Sequence, residues 1–353
     1  MIEFCHVCAR AVLDCEWQGN HPQTPSAMAS DQIVDATLEL DRHADTYLRW
    51  PWKALDELYG AMAPGQLHYV AGFSGMGKTT FISSAMGRWV EQGRKVVVLP
   101  LEQKAHTFRT YMACQSLGVD PGLMLSGDFH RLPTADTLRA QVKQAVADQL
   151  KDPFLSRMTV LGAPDVSVET LRRAVKYALE READVLVIDH VDHLQPNEPQ
   201  RSGYDASRAV NDEALRLAQN NDLLIVAMSQ CNQQSMNGSS DKLAKYEPPR
   251  DNHVLMGGKK RELATGMLGL FRPQLPPPEG ATQEDMAAWR EDMARARRGE
   301  LEPHKALEPM TMGIVLMKSR SYGNREGKRI KLAWRAGRIV DHETLPYSLR
   351  RVS

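Results

Sequence analysis

The sequence predicts an α/β fold: a mainly parallel central sheet flanked by helices, with antiparallel strands at its C-terminal edge. Three observations carry this. Short runs apolar on both faces and rich in Val, Ile and Leu recur at Leu67–Ala71, Lys95–Leu101, Met158–Leu161, Asp184–Ile188 and Leu223–Ser229, as strands covered on both sides require. Segments of helical length separate them, and strand–helix alternation builds a parallel sheet with helices on both faces. Three further short runs then follow closely, Gly313–Met317, Arg329–Trp334 and Arg338–Asp341, with spacings that suit antiparallel pairing.

Taken in order, the first thirty residues are irregular, with three cysteines, Gly19, Pro22 and Pro25. A short helix is expected after Ser30 or Asp31, either of which can cap it, carrying Ile33, Val34, Leu38 and Leu40. Residues 1–48 therefore read as an N-terminal extension with a small Cys-rich segment and a short helix outside the main core, either a linker helix or a local packing helix. Residues 49–345 read as the main domain, and 346–353 as a tail. Within the domain, helices are predicted at Lys78–Glu91 after a glycine loop, at His106–Ser116 before Gly118, and at Thr134–Leu150 before Pro153. Two more follow at Val168–Glu182 and Asp205–Asn220. Residues 272–309 hold six of the twenty prolines around one polar helix near Glu284–Arg298, and read as a surface insertion.

Composition narrows the classes. The 353 residues are 42% apolar and 25% charged, with 44 basic and 44 acidic side chains, ordinary for a globular chain and unlike a disordered one. The longest apolar stretches, such as Leu223–Met228, are about a third of the ~20 residues that span a bilayer, so no membrane partner is expected. Glu3, Asp14 and Glu16 interrupt the region where a secretory core would lie. Five cysteines suit a reducing, cytoplasmic setting better than a disulfide framework. Cys5, Cys8, Cys15 and His21 have half of a zinc-knuckle spacing, but the second half is irregular, and free thiols are the preferred reading over zinc. Charge is uneven: Lys318–Arg338 carries eight basic residues and one acid, leaving 36 basic against 43 acidic elsewhere. This fits a localised phosphate-binding surface rather than a basic coating.

The most specific motif is GFSGMGKTT at residues 72–80, between the strand LHYVA and a helix. It satisfies G-x-x-x-x-G-K-[ST] through Gly72, Gly77, Lys78 and Thr79. In such a loop, backbone N–H groups of Ser74, Gly75, Met76 and Gly77 turn inward around phosphate oxygens, and the helix that opens with Lys78, Thr79 and Thr80 adds its positive end. Lys78 would reach the β- and γ-phosphates and the Thr79 hydroxyl would ligate Mg²⁺, so ATP and Mg²⁺ are the expected cofactors. The run DVLVIDHVDHL puts Asp189 directly after four apolar residues, the pattern of a Mg²⁺-orienting acid at a strand end; Asp192 is the weaker candidate. VVVLPLEQ sets Glu102 just past a strand end, where ligand sites of parallel sheets lie, making it the candidate general base. LLIVAMSQ ends on Gln230, a candidate γ-phosphate contact.

The ordered set PGQL, GFSGMGKTT, LEQ, VLVIDHVDHLQP, VAMSQCNQ, LMGG and KSR resembles the ATPase domain of DnaB-type replicative helicases, RecA-fold ring motors of superfamily 4, over about Trp50–Asp341. The resemblance implies a RecA-like P-loop NTPase fold and an ATP-dependent DNA helicase forming a homo-oligomeric, hexameric ring on single-stranded DNA, with a primase or a helicase loader as further partners. It makes Glu102 the catalytic glutamate and Gln230 the polar contact of the third motif. It makes Gly257, Gly258, Lys259 and Lys260, with Arg250 before them, a loop holding DNA in the ring's channel. Lys318 and Arg320 match the pair that reaches a neighbouring subunit's nucleotide. His190 stands where an aromatic is more usual. The alternative from another class is a KaiC-like or recombinase-like oligomeric ATPase without unwinding activity.

Overall fold

A computed structural model describes residues 47–341, apart from 127–129, 131–133, 152–153, 198, 233–240, 256, 278–279, 321–322 and 336. Residues 1–46 of the expected extension, with its cysteines, His21 and the helix over Ile33–Leu40, lie outside the described residues, as does the tail.

One nine-stranded sheet organises the domain, in the order β3-β2-β4-β5-β1-β6-β7-β8-β9. β1 (Leu67–Gly72) is the central strand, entirely buried, and pairs in parallel with β5 (Leu224–Gln230) and β6 (Gly266–Phe271). β4 (Val185–Asp189), β2 (Val96–Pro100) and β3 (Met158–Val160) continue the parallel sheet on one side. β7 (Thr311–Ser319), β8 (Arg329–Arg335) and β9 (Arg338–Asp341) run antiparallel on the other. Eight of these strands coincide with expectation to within a few residues; β6 has no counterpart among the expected strands.

The helices are α1 (Lys53–Tyr59), α2 (Lys78–Glu91), α3 (Ala105–Leu117), α4 (Pro121–Ser126), α5 (Ala135–Asp148), α6 (Phe154–Arg157), α7 (Val168–Glu180), α8 (Gly203–Asn220), α9 (Gly257–Leu263) and α10 (Gln283–Arg298). The Ser167 hydroxyl caps α7 by accepting from Thr170 N, and Ser202 caps α8 by accepting from Asp205 N. α3 and α10 end on left-handed Gly118 and Gly299, where the lack of Cβ relieves the strain. An aromatic group fastens the start of the domain to α2: Trp50 lies 5.3 Å from Phe81 and 5.5 Å from Trp89, and Trp52 lies 4.9 Å from Phe81. Trp52 Nε1 donates to the Ile339 carbonyl of β9 at 3.0 Å, so this group also reaches the far edge of the sheet.

The Pro-rich insertion closes a small separate core with Leu243 of the preceding segment. α10 turns Met293 and Ala296 onto Leu243 and Ala306, with Trp289 and Leu301 alongside. A capping box at Thr282 and Asp285 opens the helix.

Candidate nucleotide site at the carboxyl edge of the sheet

β1 delivers the chain to the phosphate loop at mid-sheet. Gly75 and Gly77 have φ of 79° and 84°, a region that L side chains avoid. Gly77 is doubly constrained, because a Cβ there would lie 2.6 Å from Cη2 of Trp334 on β8. The loop is therefore backed by a rigid aromatic ring, while Ser74 and Gly75 stay exposed at its lip and Met76 is buried beneath. Lys78 opens α2 and folds back, donating to Gly72 O at 3.0 Å and Phe73 O at 3.3 Å. Burial pushes its pKa down, against the pull of Cys231, Asp189, Glu102 and Asp192. Its ammonium is thus held inside the loop by carbonyls that phosphate oxygens can replace. The Thr80 hydroxyl, one residue past the metal-ligand position, pairs with Tyr111 OH of α3.

Asp189 closes β4 and is 1% exposed. Its Oδ2 accepts from the Thr79 hydroxyl at 2.9 Å, whereas its Oδ1 is buried with no hydrogen-bond partner among the described residues. Burial raises its pKa to about 6, opposed by the Thr79 bond. A buried carboxylate oxygen beside a hydroxyl suits a hard divalent cation, so Thr79 and Asp189 fit Mg²⁺. Among the described residues no group of three or more His, Cys, Asp or Glu could hold a metal ion. Any such ion would take its remaining ligands from phosphate and water, as Mg²⁺ commonly does.

Two further strand ends face the same edge. β2 is registered with β4 so that Pro100 lies opposite Asp189, and the Leu101 and Glu102 amides approach Asp189 O at 2.6 and 3.3 Å. The Glu102 side chain is 54% exposed, with Oε2 3.8 Å from His190 Nε2. The His190 ring is buried and stacked on His193 with centroids 4.1 Å apart. Burial lowers its pKa to about 4, so the imidazole is neutral at neutral pH. Gln230 ends β5 opposite Gly72, and its backbone N–H donates to Asp192 Oδ2 at 2.7 Å.

Gly257–Lys260, expected as a DNA-holding loop, are helical in this structure. These residues form the start of α9 instead of a loop, and Gly257 is packed so closely that a Cβ would lie 1.8 Å from Asp251 O. Lys260 is fully buried, ion-paired with Asp192 and bonded to Ser229 Oγ at 2.8 Å. The Lys259 side chain is 10% exposed and lies 3.2 Å from Glu262 and 3.6 Å from Asp212. Their charges are committed internally, which two lysines in a polar run do not reveal. Arg250 and Gly258 are exposed.

Lys318 and Arg320 lie at the opposite edge. β7 runs antiparallel to β6 with Ser319 facing Gly266, and Gly266 faces His68 at the start of β1. Lys318 Nζ donates to the carbonyls of Arg261 and Glu262, and Arg320 Nη2 to Glu262 O at 3.1 Å. Neither is brought near the phosphate loop of its own chain. Two residues with a structural part here escaped sequence reasoning: Trp334, whose position in a hairpin carried no signal, and Asp192 as Lys260's partner, signalled only by an acid in an apolar run.

The sheet order, the glycine loop after its central strand and the acid at the end of β4 define a RecA-like P-loop NTPase. A family model, the DnaB-like helicase C terminal domain, matches residues 48–244. The chain belongs to that family. Two solved structures agree in fold. One, described as an ATPase domain, has a TM-score of 0.65 at 14% identity, covering 90% of this chain and 99% of that one. The other, of a DnaB-like replicative helicase and its interactions with primase, has a TM-score of 0.62 at 14% identity, covering 90% of this chain and 68% of that one. No curated protein sequence matches this one.

Proposed function

We propose that the protein is an ATP-hydrolysing motor that assembles as a homo-oligomeric ring, hexameric by family, and moves on single-stranded DNA as a replicative helicase. One observation carries the hydrolytic half: Lys78, the Thr79–Asp189 pair, Glu102 and Gln230 converge on one edge of the sheet, the layout phosphoryl transfer to water needs. In this reading the loop amides and Lys78 hold the phosphates, and Thr79 with Asp189 holds Mg²⁺, which when bound neutralises charge on the transferring group. Glu102 takes the proton from the attacking water; its exposure leaves it free to do so. Gln230 contacts the terminal phosphate.

The ring is supported by where Lys318 and Arg320 stand. Lys318 and Arg320 are on the wrong edge to serve it, yet Arg320 is exposed and its planar fork suits phosphate oxygens. A neighbour's nucleotide at a subunit interface is the partner that fits. DNA is proposed to meet the polar segments 195–202 and 231–253, with Arg250 as a phosphate contact. A primase or loader is a further proposed partner by family alone. No helix among the described residues is long and apolar enough to cross a membrane.

The test is the ATPase rate with and without a single-stranded oligonucleotide, alongside particle mass with ATP and Mg²⁺. Stimulation by DNA and a mass of several protomers are expected. A monomer indifferent to DNA would remove the helicase reading.

A further inference from the structure

We propose that the buried Asp192–Lys260 pair is a positioning device tying a subunit's own nucleotide site to the cations it offers its neighbour. The inference rests on the ring reading above and deepens it. Asp192, 4% exposed in its side chain, accepts on Oδ2 from the Gln230 amide at 2.7 Å and on Oδ1 from Lys260. Lys260 also donates to Ser229, the residue before Gln230. Both groups therefore grip the end of the strand that carries the γ-phosphate contact. Lys260 is the fourth residue of α9, a seven-residue helix and so roughly 10 Å long. At its far end the carbonyls of Arg261 and Glu262 receive Lys318 and Arg320, and Thr265 O, just beyond, accepts from the Arg320 amide at 3.0 Å.

A contiguous series of bonded groups thus runs from Gln230 through Asp192, Lys260 and α9 to Arg320. Stability alone gives a weak reason for it, since desolvating two charges offsets most of what their attraction returns. What a desolvated, fully paired contact supplies is fixed geometry. A shift of Gln230 would be carried along a stiff element to the two cations.

The test uses two subunit types that are each inactive alone. Arg320→Ala keeps a competent nucleotide site, Glu102→Gln binds nucleotide with turnover all but stopped and keeps a competent finger, and their mixture should hydrolyse ATP where one faces the other. Lys260→Met is then placed on the finger-donating subunit only, or on the site-donating subunit only. Loss in the finger arm of roughly threefold to tenfold, as coupling of this kind is worth, is the expected result. A merely local role would slow the site arm and leave the finger arm at the parent rate, and that outcome overturns the proposal. If Lys260→Met fails to fold by circular dichroism, Asp192→Asn, isosteric and uncharged, replaces it in both arms, where loss in the finger arm again supports the proposal and a parent rate there again overturns it. If the parent mixture is inactive while unsubstituted protein hydrolyses ATP and subunit exchange is confirmed, the interface-cation reading itself has failed, and the relay falls with it.

Discussion

His68 shows how one buried side chain sets a pH limit far from the nucleotide. It sits on β1, 2% exposed, with Nδ1 2.6 Å from Tyr59 OH and Nε2 2.9 Å from Gln66 Oε1. The neutral ring satisfies both: Tyr59 donates to Nδ1, and Nε2–H donates to Gln66. Burial lowers its pKa to about 3, below its ordinary 6.5, so between those values the unfolded chain binds a proton that the folded chain refuses. Stability from this residue is complete above pH 6.5 and is lost as pH falls toward 3, with a slope approaching ~1.4 kcal/mol per pH unit. Urea unfolding across pH 7 to 5 should show the decline, and His68→Gln should flatten it. At the proposed catalytic edge, Lys78→Ala should abolish hydrolysis and weaken nucleotide binding, because it removes the ground-state phosphate contact assigned to it above. Glu102→Gln should keep binding and slow turnover by roughly 10²–10⁴, as losing a general base does. Unchanged turnover in Glu102→Gln would move the base elsewhere. These residues were legible because each is fixed by backbone context, a glycine loop or a strand end. Lys260 was not, since nothing in GGKKRE tells a buried lysine from a solvated one.

At the scale of elements, β6 is the informative miss. Its sequence, GMLGLF, is fully buried, yet two glycines interrupt the Val/Ile/Leu signature of its neighbours. Each glycine answers a crowding that only the assembled sheet creates. A Cβ at Gly266 would come within 2.3 Å of Tyr59 OH, and one at Gly269 within 2.5 Å of Pro249 and 2.8 Å of Val315. The legible strands carry runs of branched side chains that mark them by themselves, β7 among them despite its own crowded Gly313, where a Cβ would come within 2.4 Å of Phe271. Gly269→Ala is therefore expected to cost about 1–3 kcal/mol through overpacking, read as a lower urea midpoint. Gly258→Ala on α9, with nothing within 4 Å of the added methyl, should instead be neutral or stabilising by up to about 1 kcal/mol. A loss at Gly258 as large as at Gly269 would contradict the packing argument.

For the whole molecule, net charge is a poor guide to what it binds. Acid and base balance over the chain, but Lys259, Lys260 and Arg261 are each paired with a carboxylate, so the cationic run at α9 offers little to a polyanion. Single-strand affinity should fall with salt at a log–log slope of about 0.7 per phosphate neutralised. Arg250→Ala should flatten that slope by up to one contact per engaged subunit, whereas neutralising Lys259 should leave it alone. The reverse pattern would return the DNA to α9. All the parallel strands but β6, and the motifs at their ends, could be read in advance because local sequence determines them. The assignment of charges between partners could not, because those partners lie up to 68 residues apart in the chain.

Trp334 behind Gly77 bears on which pieces of this chain can live alone. The stretch that marks the family ends at residue 244, before β6, β7, β8 and β9. Cut there, β1 would lose the neighbour on one side and become an open edge, its N–H and C=O groups unpaired and ready to recruit another chain. The loop it feeds would lose the indole that presses on its tightest glycine. A fragment holding every residue proposed to bind nucleotide should therefore aggregate and bind nucleotide poorly. The recognisable motif and the smallest self-sufficient body are different lengths of polypeptide, and the difference is the segment that supplies β6 to β9 and the indole behind the phosphate loop.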